Sequence, residues 1–297
     1  MRSDLAAEAR AAFWFLTPAL ALIFVFFVLP IVAAFALSLT DFDLYALADP
    51  ANVRLVGFAN YSRLLADPLF WKALGNTFYF ALGAGVLSVA VGLGGALAVN
   101  SRLTRLQPLW RTLFFAPYVT TLVAVAVVWR YFYQPRFGLL ARLSDLVGLP
   151  QIDWLGDPRF AMPAIILLAV WKGFGYNLIL FIAGLRAIPE SLYEAAAIDG
   201  ASPWDRLRHF TLPMLAPTFF FVATVTTIGS LQLFAEPYVM TRGGNPMNAT
   251  LSVVLLMFKE GFRWWNLGYA AAVAFVLFAV VLLVTLAQSL ILRPRRA

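Results

Sequence analysis

A few polar and aromatic residues sit inside stretches of the chain that are otherwise almost wholly apolar. They are Trp171, Lys172, Tyr176 and Asn177 in one stretch, and Ser230, Gln232 and Glu236 in another. Such side chains are costly at membrane depth and default to a functional role. Aromatic faces beside amide, hydroxyl and carboxylate groups suit a sugar, whose rings stack while its hydroxyls hydrogen-bond. Gln232 and Glu236, four residues apart, would share one helix face. Duller roles stay open: Lys172 bonding a carbonyl or acid of a neighbouring helix, Glu236 marking the outer membrane boundary. Bond-making chemistry has little to work with. His209 is the only histidine and cysteine is absent, which leaves no convincing nucleophile–base pair or metal cluster.

The elements that must position these residues are set by composition. Hydrophobic residues make up 62% of the 297 and charged residues 12%, about half the usual charged share of a soluble domain. Six stretches are long enough to cross a hydrocarbon core as helices: about 12–39, 73–99, 109–133, 160–185, 214–236 and 267–292. Helix is the form lipid permits, because it satisfies its own backbone, and the alternation of barrel strands is missing. The first stretch is too long for a signal-peptide core and reads as a retained span. The expected class is all-α: a polytopic membrane protein of six transmembrane helices.

Sidedness follows from charge density. The short connection 100–108, with Arg102 and Arg105, and the tail 293–297, with Arg293, Arg295 and Arg296, are basic and carry no acid. With Arg2 and Arg10 they read as cytoplasmic, which puts both termini inside. The net charge of +7 then calls for the anionic inner leaflet of a lipid bilayer and for no nucleic acid.

On this topology one polar connection faces the cytoplasm: PESLYEAAAIDGASPWDRLRHFTLP, residues 189–213. It reads as two short helices around a bend. Pro189 and Glu190 suit a helix start, where the dipole favours an anion. Gly200 takes the left-handed conformation that ends a helix, and Ser202, Pro203 and Asp205 restart one as cap, first residue and capping-box acid. Alanines let another protein approach closely, and the flanking charges suit a wet rim.

Glu194-Ala195-Ala196, then Gly200, then Leu212-Pro213 resemble in order and spacing the EAA loop of membrane subunits in bacterial ABC importers; Phe210 stands where an isoleucine is usual. Phe58-Ala59-Asn60-Tyr61 and the run from Trp71 to Thr77 resemble the entry to the permease core of the carbohydrate-uptake branch. Thr241-Arg242-Gly243-Gly244-Asn245-Pro246 and Leu267-Gly268-Tyr269-Ala270 resemble its MalF-type half, with Asn245 as a one-residue departure. The resemblance extends over nearly the whole chain. It implies a type I importer permease fold in the bacterial cytoplasmic (inner) membrane. Residues 1–71 would form an N-terminal helix and first external loop, 72–292 the permease core with its loop at 189–213, and 293–297 a tail.

The resemblance further implies that 189–213 is a coupling helix seated in a separate ATPase. Glu194, Ala195, Ala196, Asp199, Gly200, Ala201, Leu212 and Pro213 would carry that contact. Partners would be a second, MalG-like permease, an ATPase dimer and an extracytoplasmic substrate-binding protein. ATP and Mg would sit in the ATPase, with no cofactor on this chain, which also lacks a phosphate loop of the Gly-Lys-Ser/Thr kind. The implied cargo is a sugar or polyol. A stand-alone secondary transporter or channel is the competing reading, and it leaves the Glu194–Gly200–Leu212-Pro213 register without a purpose. A membrane enzyme lacks a catalytic constellation.

Overall fold

In the computed structural model, residues 2–101 and 103–292 are described; Arg102 and the tail 293–297, with Arg293, Arg295 and Arg296, lie outside them. The described chain is helical. Five helices are long and apolar enough to cross a membrane: α1 (Ala11–Ser38), α3 (Pro68–Val99), α6 (Pro158–Arg186), the segment Ala216–Met240 and the helix from Leu267 to Ile291. Between α1 and α3 lies the short α2 (Ala59–Ala66). The chain divides into two units. One holds the residues up to Asp67 together with Met257–Val276; the other holds Pro68–Leu256 and the chain from Leu277 onward.

The third expected span, 109–133, is not one helix. It is a pair, α4 (Gln107–Val119) and α5 (Leu122–Phe132), bent by 94° at Thr120 and Thr121. Both threonines are extended there, with ψ of 150° and 132°. The carbonyls freed by the break are satisfied from another helix, as described below.

The fifth span is also interrupted. Helix α9 (Ala216–Leu231) stops, Gln232 to Phe234 leave helical geometry, and α10 (Ala235–Met240) restarts. Pro237 explains the gap. It has no N–H for the carbonyl of Leu233, and its ring would clash with that carbonyl in a continuous helix. The Ser252 hydroxyl donates to the Leu233 oxygen instead. Gln232 and Glu236 therefore do not share a helix face, contrary to the reading from spacing. Between α6 and α9 come α7 (Glu190–Ile198) and α8 (Pro203–Arg206).

Within the first unit, Asn60 closes the end of α1. Its amide donates to the carbonyls of Ser38 at 2.9 Å and Thr40 at 2.8 Å, and the Tyr61 hydroxyl meets that of Ser38 at 2.7 Å. Gly268 donates its N–H to the Phe42 carbonyl, and the Arg63 guanidinium lies over the Tyr269 ring at 4.5 Å.

In the second unit the helices approach closely through small residues. A Cβ on Gly175 of α6 would lie 1.9 Å from the Phe114 oxygen of α4, and one on Gly92 of α3 would lie 2.7 Å from the Asn177 Cβ. With no hydrophobic drive between helices in lipid, such backbone approach and the van der Waals contact it permits hold the bundle. Leu178 and Phe181 of α6 pack in the same layer as Val89 and Ala96 of α3. The loop 241–252 is clamped to α3: Lys72 donates to the Met247 carbonyl at 2.6 Å, and Asn76 donates to those of Asn248 and Leu251 at 2.9 and 3.0 Å.

Replacing Asn76 by alanine removes a donor from two loop carbonyls, of which Asn248 keeps the Leu251 N–H at 3.2 Å, and should cost about 1–3 kcal/mol. Asn76→Asp, which keeps the volume but turns donors into acceptors, should cost at least as much. Thermal unfolding of the detergent-purified protein measures both; an aspartate as stable as the parent would mean that volume alone matters at this position.

Candidate functional site

Lys172 lies on α6, in a span with few other charges. Its ammonium donates to three carbonyls at the end of α4: Pro117 at 3.1 Å, Tyr118 at 3.0 Å and Thr120 at 2.8 Å. An ammonium has three N–H donors and no acceptor. All three are engaged by the broken helix, where a cation also meets the negative end of the helix dipole. The Tyr118 ring stacks on Tyr176 of α6 with centroids 4.7 Å apart, and the Lys172 nitrogen lies 5.6 Å from the Tyr118 centroid.

These residues border a cavity of about 330 Å³ whose polar lining includes Lys172, Tyr176, Asn177, Ser230 and Glu236 together with Tyr118. Asn177 is buried and wired across three helices. Its amide nitrogen donates to the Ser88 hydroxyl of α3 at 3.0 Å, and its oxygen accepts from the Thr226 hydroxyl of α9 at 3.1 Å. The structure thus gathers Lys172, Tyr176, Asn177, Ser230 and Glu236, drawn from two spans, around one space. It leaves two residues of the sequence-based set outside the lining. Trp171 is 40% exposed and meets Trp129 of α5 in a tilted ring contact at 5.4 Å. Gln232 is exposed at the end of α9. Ser88, Tyr118 and Thr226 were missed. Ser88 and Thr226 carried a signal, being polar residues inside apolar helices; Tyr118 carried none.

The second site is the loop 189–213. Helix α7 ends where Gly200 takes φ +78°, and the Ala201 N–H returns to the Ala196 carbonyl at 2.9 Å, the bond pattern of a left-handed helix end. The capping box forms: the Asp205 N–H donates to the Ser202 hydroxyl, and the Ser202 N–H donates to the Asp205 carboxylate, each at 3.2 Å. Donation by the Ser202 hydroxyl and then by its N–H holds the Asp205 carboxyl below the ordinary aspartate value. A depressed carboxyl stabilises above its unfolded value and releases that stability only as pH falls through the depressed one. The cap is therefore intact at neutral pH.

Ala196 is buried, and the Tyr193 and Thr211 hydroxyls meet at 3.0 Å, fastening α7 to the chain that re-enters the fifth span. Glu194, Ala195, Asp199, Gly200, Leu212 and Pro213 are exposed, and Ala201 is half-buried. Ile198 and Trp204, 87% and 66% exposed, stand on either side of the Gly200 bend. Beside α7 opens a cavity of about 690 Å³ bordered by Asn100, Arg186, Glu190, Tyr193, Glu194 and Arg206. Among the described residues no three His, Cys, Asp or Glu side chains are grouped to hold a metal.

Comparison with known proteins agrees over the length of the chain. Residues 88–296 match the family of binding-protein-dependent transport system inner membrane components. The lactose transport system permease protein LacF of Rhizobium radiobacter is 36% identical over 286 residues, 95% of this chain and 94% of that protein. The trehalose/maltose transport system permease protein MalF of Thermococcus litoralis is 34% identical, covering 97% and 96%. A chain from the crystal structure of a bacterial alginate ABC transporter, in complex with alginate pentasaccharide-bound periplasmic protein, superposes with a TM-score of 0.84. It covers 100% of this chain and 99% of that one at 19% identity, which establishes the fold.

Lys172→Met removes the ammonium from three carbonyls at the break, of which Pro117 alone keeps another donor, the Thr120 hydroxyl at 2.6 Å. Stability should fall by about 1–3 kcal/mol or more, seen as a lowered melting temperature of the purified protein. Were Lys172 a solute ligand with no role in the break, methionine would leave stability unchanged or raise it, since an unpaired cation at that depth is the costlier group.

Proposed function

The chain belongs to the family of binding-protein-dependent transport system inner membrane components, the multi-pass permease subunits of ABC importers, and on that premise we propose that it moves a sugar or oligosaccharide inward through the Lys172–Glu236 cavity. ATP hydrolysis belongs to a separate subunit. The observation that carries the coupling half of this reading is the bend at Gly200, with Glu194, Ile198 and Trp204 exposed around it. Exposed apolar anchors on a rigid double helix, rimmed by charge, are what a protein groove binds. Closure of the ATPase pair, each holding ATP and Mg, pushes on this joint; Glu194 contacts the ATPase, and Gly200 permits the bend.

The carbohydrate half is supported by the cavity chemistry and by relatives whose own cargo is lactose, trehalose and maltose, or arabino-oligosaccharides. A delivering binding protein on the outer side, a related second permease and two ATPases complete the assembly. Residues 72–292 form the permease core, and 1–71 an added helix and external loop. Both termini and the coupling loop lie in the cytoplasm, on the strength of the arginines in the short connections.

Glu194→Lys or Gly200→Val should abolish ATP-driven uptake into vesicles carrying the complete transporter, with the protein inserted at parental level. Charge reversal removes an ATPase contact, and a branched residue is strained at positive φ by roughly 1–2 kcal/mol. Normal uptake in both variants would sink the coupling joint. The assembly claim has its own check: one loop offers one docking surface, and an ATPase pair needs two. Vesicles holding this chain as the sole permease should be inactive, and active ones would overturn the pairing with a second, different permease.

A further inference from the structure

We propose that the cavity between α3, α6 and α9 admits uncharged, hydroxyl-rich solutes and rejects sugar acids, sulfonates and phosphate esters, because its cation is already committed to the broken helix and its carboxylate is not. The inference rests on the reading of this cavity as the solute path and specifies what passes along it.

The charges decide the matter. Two ionisable groups of opposite sign border the space, Lys172 and Glu236. A lysine on a solute path ordinarily marks an anion site. Here its three donors are taken by the carbonyls of Pro117, Tyr118 and Thr120 at 2.8 to 3.1 Å. An entering carboxylate would have to strip the ammonium from the carbonyls that lipid cannot satisfy in its stead. It would also face the Glu236 carboxylate across a cavity of about 330 Å³, and like charges brought together are unfavourable. Protonating Glu236 relieves that repulsion but supplies no cationic donor, so the rejection stands in either charge state.

The groups left over are those a neutral polyol needs. Asn177 is committed to Ser88 and Thr226. The Ser230, Tyr118 and Tyr176 hydroxyls line the same space, and the Glu236 carboxylate, bonded by its own backbone N–H, keeps further acceptor sites. Three hydroxyls donate or accept, the carboxylate accepts, and the Tyr118–Tyr176 pair adds aromatic surface for a sugar's apolar face.

The test is uptake into vesicles bearing the complete transporter and its binding protein, with paired probes. Lactose, maltose and an arabino-oligosaccharide are each compared with the same sugar oxidised to its aldonic acid, and glycerol with glycerol phosphate. Every probe taken up should be neutral, exceeding its acidic partner by roughly a hundredfold or more. Uptake of an acid at a rate comparable with its neutral partner overturns the inference while leaving the sugar-importer reading in place. A transporter that moves none of these carbohydrates but couples ATP hydrolysis to another class of solute overturns both. Glu236→Lys ties the selectivity to this cavity: it introduces a cation with free donors, and the neutral-to-acid ratio should drop about tenfold or more. Glu236→Gln, which keeps the shape, serves where the lysine variant does not insert, with a smaller drop in the same direction. An unchanged ratio in an inserted variant shows that the cavity does not choose.

Discussion

Lipid supplies no hydrogen bonds, so a helix broken inside a membrane must find donors and acceptors within the protein. Much of the interior described above follows from that constraint. The break between α4 and α5 exposes carbonyls, and Lys172, on a different helix, answers three of them. The break after Leu231 frees the Leu233 carbonyl, and Ser252 answers it from the following loop. That loop is in turn held to α3 by Lys72, Asn76 and the hydroxyl of Thr77, which accepts from the Val253 N–H. Each interruption of a helix is thus offset by a residue distant in sequence, and those residues knit the bundle. Both breaks also border the polar cavity, with Tyr118 at one and Glu236 just past the other. Backbone irregularity in a membrane is tolerated where it lines a protein-enclosed space, and here it shapes that space.

The loop 189–213 obeys local rules, and that is why it was legible. A proline and an acid at a helix start, a glycine at its end and a serine–aspartate box at the next start are decided within a few residues. Spans were legible for a related reason: their length and hydropathy are one-dimensional properties. The helices Pro158–Arg186 and Leu267–Ile291 lie within about two residues of the limits read from composition, whereas the first helix begins earlier, at Arg2.

What escaped was non-local. Pro117 alone hints at a 94° bend between 109 and 133, and the ammonium that stabilises the bend comes from Lys172 on another helix. The stop at Leu231 did have a local sign in Pro237, which the four-residue spacing of Gln232 and Glu236 obscured. The sequence allows Lys172 to be a solute ligand or, more plainly, a carbonyl donor; its geometry gives the carbonyls all of its donors. Asn60, Asn76 and Gly268 stood out only through family likeness. In the structure each has a physical role. Asn60 closes α1, Asn76 holds the 241–252 loop, and Gly268 lets its N–H reach the Phe42 carbonyl.

The opposite charges of Lys172 and Glu236 around one cavity bear on the energetics of a bacterial membrane under voltage. Carrying one elementary charge across a potential of 100 mV involves about 2.3 kcal/mol of electrical work. An anion drawn into a negative interior is opposed by that amount, taken from the same ATP that must rock the helices. A neutral cargo crosses a chamber of balanced charge without that opposing work. The stroke then acts on concentration alone, and the work of import becomes independent of the membrane voltage.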